Sequence, residues 1–168
     1  MSKTYNVLFL CTGNSARSIL AEAILKKEGV GRFQAFSAGT HPEDELHPST
    51  LRLAEELGFP TEDLRPESWN DFTGPDALEL DFVFTVCDDA AGEQCPVWPG
   101  QPVTAHWGVP DPAKVEDEEE QREAFWQAYC VLQRRVALFL ALPLESIDAM
   151  SLETRLREIG RTDDQDAA

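Results

Sequence analysis

The sequence predicts an α/β protein, a three-layer sandwich around a parallel sheet with right-handed crossovers. Three observations predict it. Apolar runs of strand length alternate with stretches of helical periodicity. The runs are continuous rather than alternating, as in strands buried on both faces. A strand also passes through one tight loop of small residues straight into a helix, the opening of a βαβ unit. At 168 residues the chain can build one core without disulfide or metal staples. Residues 1–145 form the expected main domain, and 146–168 an extension with a short helix and a frayed tail.

Val7 to Leu10 is the first strand. Ile19, Leu20, Ala23 and Ile24 then recur at helical spacing, and Gly29 is placed to stop that helix. Phe33 to Ser37 is the second strand, and Pro48 to Leu57 the second helix, ended by Gly58 and Pro60. Residues 63–79 suggest only short helical turns around Trp69 and Phe72. Asp81 to Cys87 is a third buried strand, and Cys95 to Pro102 is loop because of its prolines. Val103 to His106 is the candidate fourth strand, with His106 read as a packed structural residue. A stripe from Phe125 through Leu132 to Leu140 makes 121–141 a long amphipathic helix, with acidic residues before its N-terminus where the dipole favours them. A further helical segment falls near 151–159. Cys130, at the border of the long stripe, reads as packing.

The 31 acidic and 14 basic residues give a formal net charge of −17, which excludes nucleic acid and anionic membrane surfaces as natural partners. No apolar run approaches a membrane span, and no cleavable leader is evident, so the cytoplasm is the expected location. Four cysteines in such a chain point to thiol chemistry or packing rather than a disulfide framework.

The chemistry concentrates in LFLCTGNSARS, Leu8 to Ser18. Gly13, Asn14, Ser15 and Ala16 are small or tolerate unusual dihedrals, so the backbone N–H groups of this loop can turn inward as an anion nest. The following helix adds its N-terminal dipole, and Arg17 a planar two-pronged donor for a tetrahedral oxyanion. The expected oxyanion-binding set is Thr12, Gly13, Asn14, Ser15, Ala16, Arg17 and Ser18. The same features are expected to depress the Cys11 thiol from about 8.5 towards roughly 3.5–7.5, leaving a thiolate aimed at the anion. Cys87 ends a strand at the same sheet edge, where its sulfur is in reach of a disulfide with Cys11. Cys95 follows eight positions later, across a small, polar, glycine-containing segment. Cys87 and Cys95 lack the short spacing and further ligands of a zinc site, so no metal is expected.

VLFLCTGNSARS resembles the anion loop of the low-molecular-weight protein tyrosine phosphatase superfamily. With SAGTHP at 37–42, the cysteine pair of VCDDAAGEQCPVWPG at 86–100, and AHWGVPDPA at 105–113, the likeness to its arsenate reductase branch covers about residues 5–141. The resemblance implies the low-molecular-weight phosphatase fold with a four-stranded parallel sheet, and reduction of arsenate to arsenite. It casts Cys11 as nucleophile, Arg17 as oxyanion clamp, Asp111 as general acid, Ser18 as a donor to the nucleophile sulfur, and Asn14 as the brace of the loop. It also implies a relay: Cys11 attacks arsenate, Cys87 attacks the Cys11 sulfur as arsenite leaves, and Cys95 takes over to leave a Cys87–Cys95 disulfide.

The segment between Cys87 and Cys95 is one residue longer than in the thioredoxin-coupled members. An external thiol reductant is implied, thioredoxin ahead of glutathione or mycothiol with a glutaredoxin-type partner, and no tightly bound cofactor. Potassium, which some relatives hold near Asn14, Glu22 and Ser37, is unsupported because Trp69 falls where a further acidic ligand is expected. Phosphate and sulfate are expected as weak analogues, and the chain as a monomer or weak dimer. Two other readings stay open: an aryl or protein phosphatase, and a non-catalytic oxyanion sensor that responds to oxidation of Cys11 and Cys87. Ala113 after Asp111-Pro112, in place of an aromatic residue, removes the ring packing a phosphotyrosine would use.

Overall fold

The computed structural model describes residues 4–74, 76–87, 98 and 100–161. Four strands, β1 (Tyr5–Cys11), β2 (Phe33–Gly39), β3 (Phe82–Thr85) and β4 (Val103–His106), form one sheet in the order β2-β1-β3-β4, and every pairing is parallel. The helices are α1 (Arg17–Glu28), α2 (Pro48–Glu56), α3 (Glu118–Leu140) and α4 (Ala149–Gly160). Short 3-10 turns stand at Trp69–Phe72 and Pro112–Lys114.

Alternation along the strands sorts the core into two layers. Val7 pairs with Ala35 and Phe82, and Phe9 with Ser37 and Phe84, so one face presents Val7, Phe9, Phe33, Phe82 and Phe84. Phe139 of α3 meets Phe33, Phe82 and Phe84 with ring centroids 5.0–5.3 Å apart, and α3 in turn packs on α1. Leu8, Leu10, Phe36 and Val83 face the other way, where Phe72 meets Phe36 edge-on and Trp98 meets Trp69. Trp107 is completely buried and stacks on Phe84 at 3.9 Å. Burying a tryptophan removes about 150–250 Å² from water, a gain on the order of 4–6 kcal/mol. Residues Ser18 to Leu25 of α1 are all buried, so this helix runs through the interior rather than along the surface.

The predicted elements are present, with three differences. The long helix begins at Glu118 because Asp117 caps it, its carboxylate accepting from Glu120 N at 3.0 Å; the acidic run is the first turn itself. β3 ends at Thr85, so Cys87 lies just past the strand. His106 is on the exposed face of β4, not packed, and hydrogen-bonds Thr85 at 2.7 Å. Among the described residues no helix is long and apolar enough to cross a membrane.

Candidate active site

In a sheet ordered 2-1-3-4 the chain leaves β1 and β3 in the crevice where strand order reverses, the place such sheets reserve for ligands. The site is assembled from the carboxyl ends of three neighbouring strands. β1 delivers residues 11–16, β3 delivers Cys87, and β4 delivers the loop with Asp111. The last is guided by Trp107 N to Thr85 O (2.6 Å) and Val109 N to Val86 O (3.0 Å), which prolong the β3–β4 ladder past its end.

The anion loop is turned with its carbonyls outward. Cys11, Thr12, Gly13 and Ser15 carbonyls accept from Thr40, His41, Glu43 and His47 N–H groups at 2.9–3.1 Å. The N–H groups of residues 13–17 have no hydrogen-bond partner among the described residues, and all five residues line the open cleft. Asn14 makes the turn possible by adopting φ +49°, a left-handed conformation that Asn tolerates. α1 then starts without a capping side chain and without an acid in its first turn. His47, Asp117 and Asp148 cap the other three helices. The positive end of α1 is therefore left for a ligand.

Asn14 is buried, and every group of its side chain is engaged. Its amide donates to Ser18 (2.8 Å) and Ser37 (2.9 Å), and its oxygen accepts from Glu67 N (2.7 Å). Ser37 Oγ donates a hydrogen bond to one Glu22 oxygen, and the other Glu22 oxygen lies 2.6 Å from Lys26 Nζ. Burial pushes the Glu22 carboxyl up, while the Lys26 and Ser37 contacts oppose it. This pocket does not fit potassium: the Lys26 ammonium already neutralises Glu22, and the Asn14 oxygen is taken by a backbone N–H. No cluster of three His, Cys, Asp or Glu able to hold a metal exists among the described residues.

Gly39 closes the arrangement from β2. A Cβ there would stand 2.5 Å from the Thr12 carbonyl oxygen and 3.0 Å from Asn14 Cβ, so only glycine lets β2 approach the loop. Gly39→Ala is expected to cost about 1–3 kcal/mol through this overlap. Thermal unfolding with and without phosphate checks it: the variant should melt lower and gain less from the anion.

The two thiols meet as the strand order requires. Cys11 and Cys87 are both buried, and their side chains lie close enough to interact. Thr12 Oγ1 lies 3.4 Å from Cys87 Sγ, tying the second sulfur to the rim of the loop. The expectation of a depressed Cys11 thiol is not met. The Cys87 hydrogen bond and then burial push it well above its ordinary value, against the opposing pull of Arg17 and the Thr12 N–H. A hydrogen bond between two thiols holds a proton on the pair, and sequence spacing does not reveal that contact. Cys95 lies outside the described residues.

Arg17 is the other half of the site. Nη1 donates to the Val109 carbonyl at 2.8 Å, Nη2 stands 3.5 Å from the Asp111 carboxylate, and the buried Nε has no partner, a donor left for an anion to satisfy. Asp111 also accepts from Ala113 N at 3.0 Å, which starts the Pro112–Lys114 turn. The cleft around these groups has a volume of about 1270 Å³. Residues 11–17, Cys87 and Asp111 all line it, with Glu43, Asp44 and Glu45 as an exposed acidic wall. Its described lining contains no Phe, Tyr or Trp. Ser18 lies behind the loop, bonded to Asn14.

A family profile matches residues 6–150, which span the anion loop, both sulfurs and the acid loop. The chain belongs to the low molecular weight phosphotyrosine protein phosphatase family. Within that family it is 40% identical to the arsenate reductase of Bacillus licheniformis over 128 residues, 76% of this chain and 87% of that one. It is similar to an arsenate reductase solved in its phosphate-binding state, with TM-score 0.62 and 26% identity across 80% of this chain and 98% of the other. The thioredoxin-dependent arsenate reductase of Corynebacterium glutamicum matches with TM-score 0.59 and 25% identity over 86% of this chain; this chain spans 65% of that longer one.

Gly39, Lys26, the Thr12 contact to Cys87, and Arg135, which binds the acid loop from α3, carry no role in the sequence reading. Only Gly39 left a signal, as part of the quoted SAGTHP.

Proposed function

We propose that this chain reduces arsenate to arsenite with Cys11 as nucleophile and Cys87 as the second thiol. The observation that supports the reading best is the pair of buried, neighbouring thiols beside one guanidinium. A phosphatase resolves its adduct by attack of water on phosphorus, whereas a second thiol beside the nucleophile can attack the adduct's sulfur instead. The lack of Phe, Tyr or Trp among the described lining residues also argues against a phosphotyrosine substrate.

Cys11 condenses with the hydrogenarsenate dianion: an S–As bond forms, one arsenate oxygen leaves as water, and arsenic stays As(V). The thiol proton and the proton already on arsenate complete that water, with Asp111 placed to relay a proton to the departing oxygen. The Arg17 fork and the free amides of the loop hold the remaining oxygens. Cys87 then attacks the Cys11 sulfur. The S–S bond forms, the S–As electron pair stays on arsenic, and arsenite, As(III), departs with the Cys87 proton. Ser18, whose oxygen accepts from Asn14, keeps its own proton to donate towards the Cys11 sulfur as it leaves.

In the final exchange Cys95 attacks Cys87 and releases Cys11, and an external dithiol supplies two electrons to the Cys87–Cys95 disulfide. Thioredoxin is the reductant we favour, in a cytoplasmic enzyme that needs no tightly held cofactor. A single turnover with arsenate and disulfide mapping by mass spectrometry tests the scheme. One arsenite per chain and a Cys87–Cys95 bond are expected in the wild type, with a trapped Cys11–Cys87 bond in Cys95→Ser. Hydrolysis of para-nitrophenyl phosphate with no arsenite release would overturn it in favour of a phosphatase.

A further inference from the structure

The family match ends at residue 150, so all but the first two residues of α4 (Ala149–Gly160) lie beyond it. This helix packs on β4, the strand that leads into the acid loop. Two contacts are made there. The buried indole of Trp107 donates through Nε1 to the Leu156 carbonyl at 3.0 Å, near the negative end of α4. Gly160 presses against the same place: a Cβ on it would overlap the His106 carbonyl oxygen and lie 2.9 Å from Trp107 Cδ1. The helix comes this close only because residue 160 has no side chain.

The carbonyls that follow are held in turn. Arg135, buried on α3, donates from Nη1 to the carbonyls of Trp107 (2.7 Å) and Gly108 (3.0 Å), and Arg17 takes the next, Val109. Three residues separate Trp107 from Asp111, too short a tether to absorb a shift at its root. The ladder bonds of Trp107 N and Val109 N already fix this segment to β3. The indole bond and the glycine contact therefore constrain it from the side the sheet leaves open.

We propose that α4 is a brace for the acid loop, and that Trp107 is a positioning residue that sets where the Asp111 carboxylate stands in the cleft. The inference rests on the reductase reading for the role of Asp111, and its test separates the two. Trp107→Phe keeps a ring against Phe84 and deletes only the N–H donor. It is expected to lower kcat for arsenate about tenfold with KM changed less than twofold, because misplacing a reacting group slows chemistry more than binding. In an Asp111→Asn background the same substitution should have no further effect, since the group it positions no longer carries a proton.

Gly160→Ala, which lifts α4 from β4 while leaving residue 107 a tryptophan, should reproduce both results and guards against a poorly folded Trp107 variant. Amide hydrogen exchange should quicken in both variants at residues 108–113, including the Ala113 N–H held by Asp111, and stay unchanged in β1 and α1. Equal losses of kcat in the two backgrounds, or faster exchange throughout the chain, would overturn the brace. Wild-type protein that releases no arsenite would instead refute the reductase reading, with the exchange pattern still deciding whether α4 holds the loop.

Discussion

Arg17→Ala is expected to lower kcat/KM for arsenate by about 10³, without lowering the melting temperature of the anion-free protein by more than a few degrees. The first part follows from the loss of a two-pronged donor on the oxyanion, each such donor being worth on the order of 10²–10³ in rate. The second follows from the present arrangement of the side chain. Arg17 satisfies the Val109 carbonyl but leaves its own buried Nε unpartnered. A buried donor without a partner costs about 1–3 kcal/mol, which offsets the bond lost with it. Arginine at this position is thus kept at some expense to stability. Arg17→Lys restores charge without the fork and should recover only about tenfold. Steady-state kinetics and thermal unfolding with and without phosphate check both parts; phosphate that raises the melting temperature of the alanine variant as much as that of the wild type would remove Arg17 from anion binding.

Cys87→Ala is expected to reduce arsenite release on the order of 10⁴-fold or more, as when one member of a catalytic unit is removed. Its second consequence concerns the surviving sulfur. The Cys87 hydrogen bond is the largest influence holding the proton on Cys11, and it disappears with the side chain. Burial still opposes ionisation, while Arg17 and the Thr12 N–H still favour it. The Cys11 thiolate should therefore form at lower pH in the variant than in the wild type. The rate of Cys11 alkylation by iodoacetamide, followed against pH, should inflect earlier and be faster near neutrality. An unchanged inflection would mean that the two sulfurs do not share a proton. With Cys87 in place the Cys11 proton is held more tightly, and in the proposed mechanism the hydrogenarsenate dianion is the base that receives it.

Much of this site was legible before any coordinates. The continuous run of Val7 to Leu10 into Cys11 located the central strand, and the small residues after it located the loop, because local composition decides both. Parallel order then placed Cys87 near Cys11 without further information. What stayed hidden depends on partners far apart in the chain. Gly39 matters through Thr12, Arg135 through Trp107, and Lys26 through a chain of bonds ending at Asn14. The ionisation of Cys11 was misjudged for the same reason: the loop, helix and arginine that favour a thiolate are all local, and the neighbour that outweighs them is 76 positions away. The 3-10 turn after Asp111 escaped notice because one turn of three residues has no periodicity to detect.

A cradle of main-chain amides measures shape and charge, and phosphate offers nearly the same tetrahedron as arsenate. The loop of residues 12–17 therefore has little means of telling the two apart, and abundant phosphate should compete for it. Discrimination falls to the next event, since a sulfur can draw its bonding partner away from pentavalent arsenic with a two-electron change that phosphorus does not undergo. In the proposed mechanism the choice of element is made by redox chemistry after capture, at Cys87, rather than by recognition.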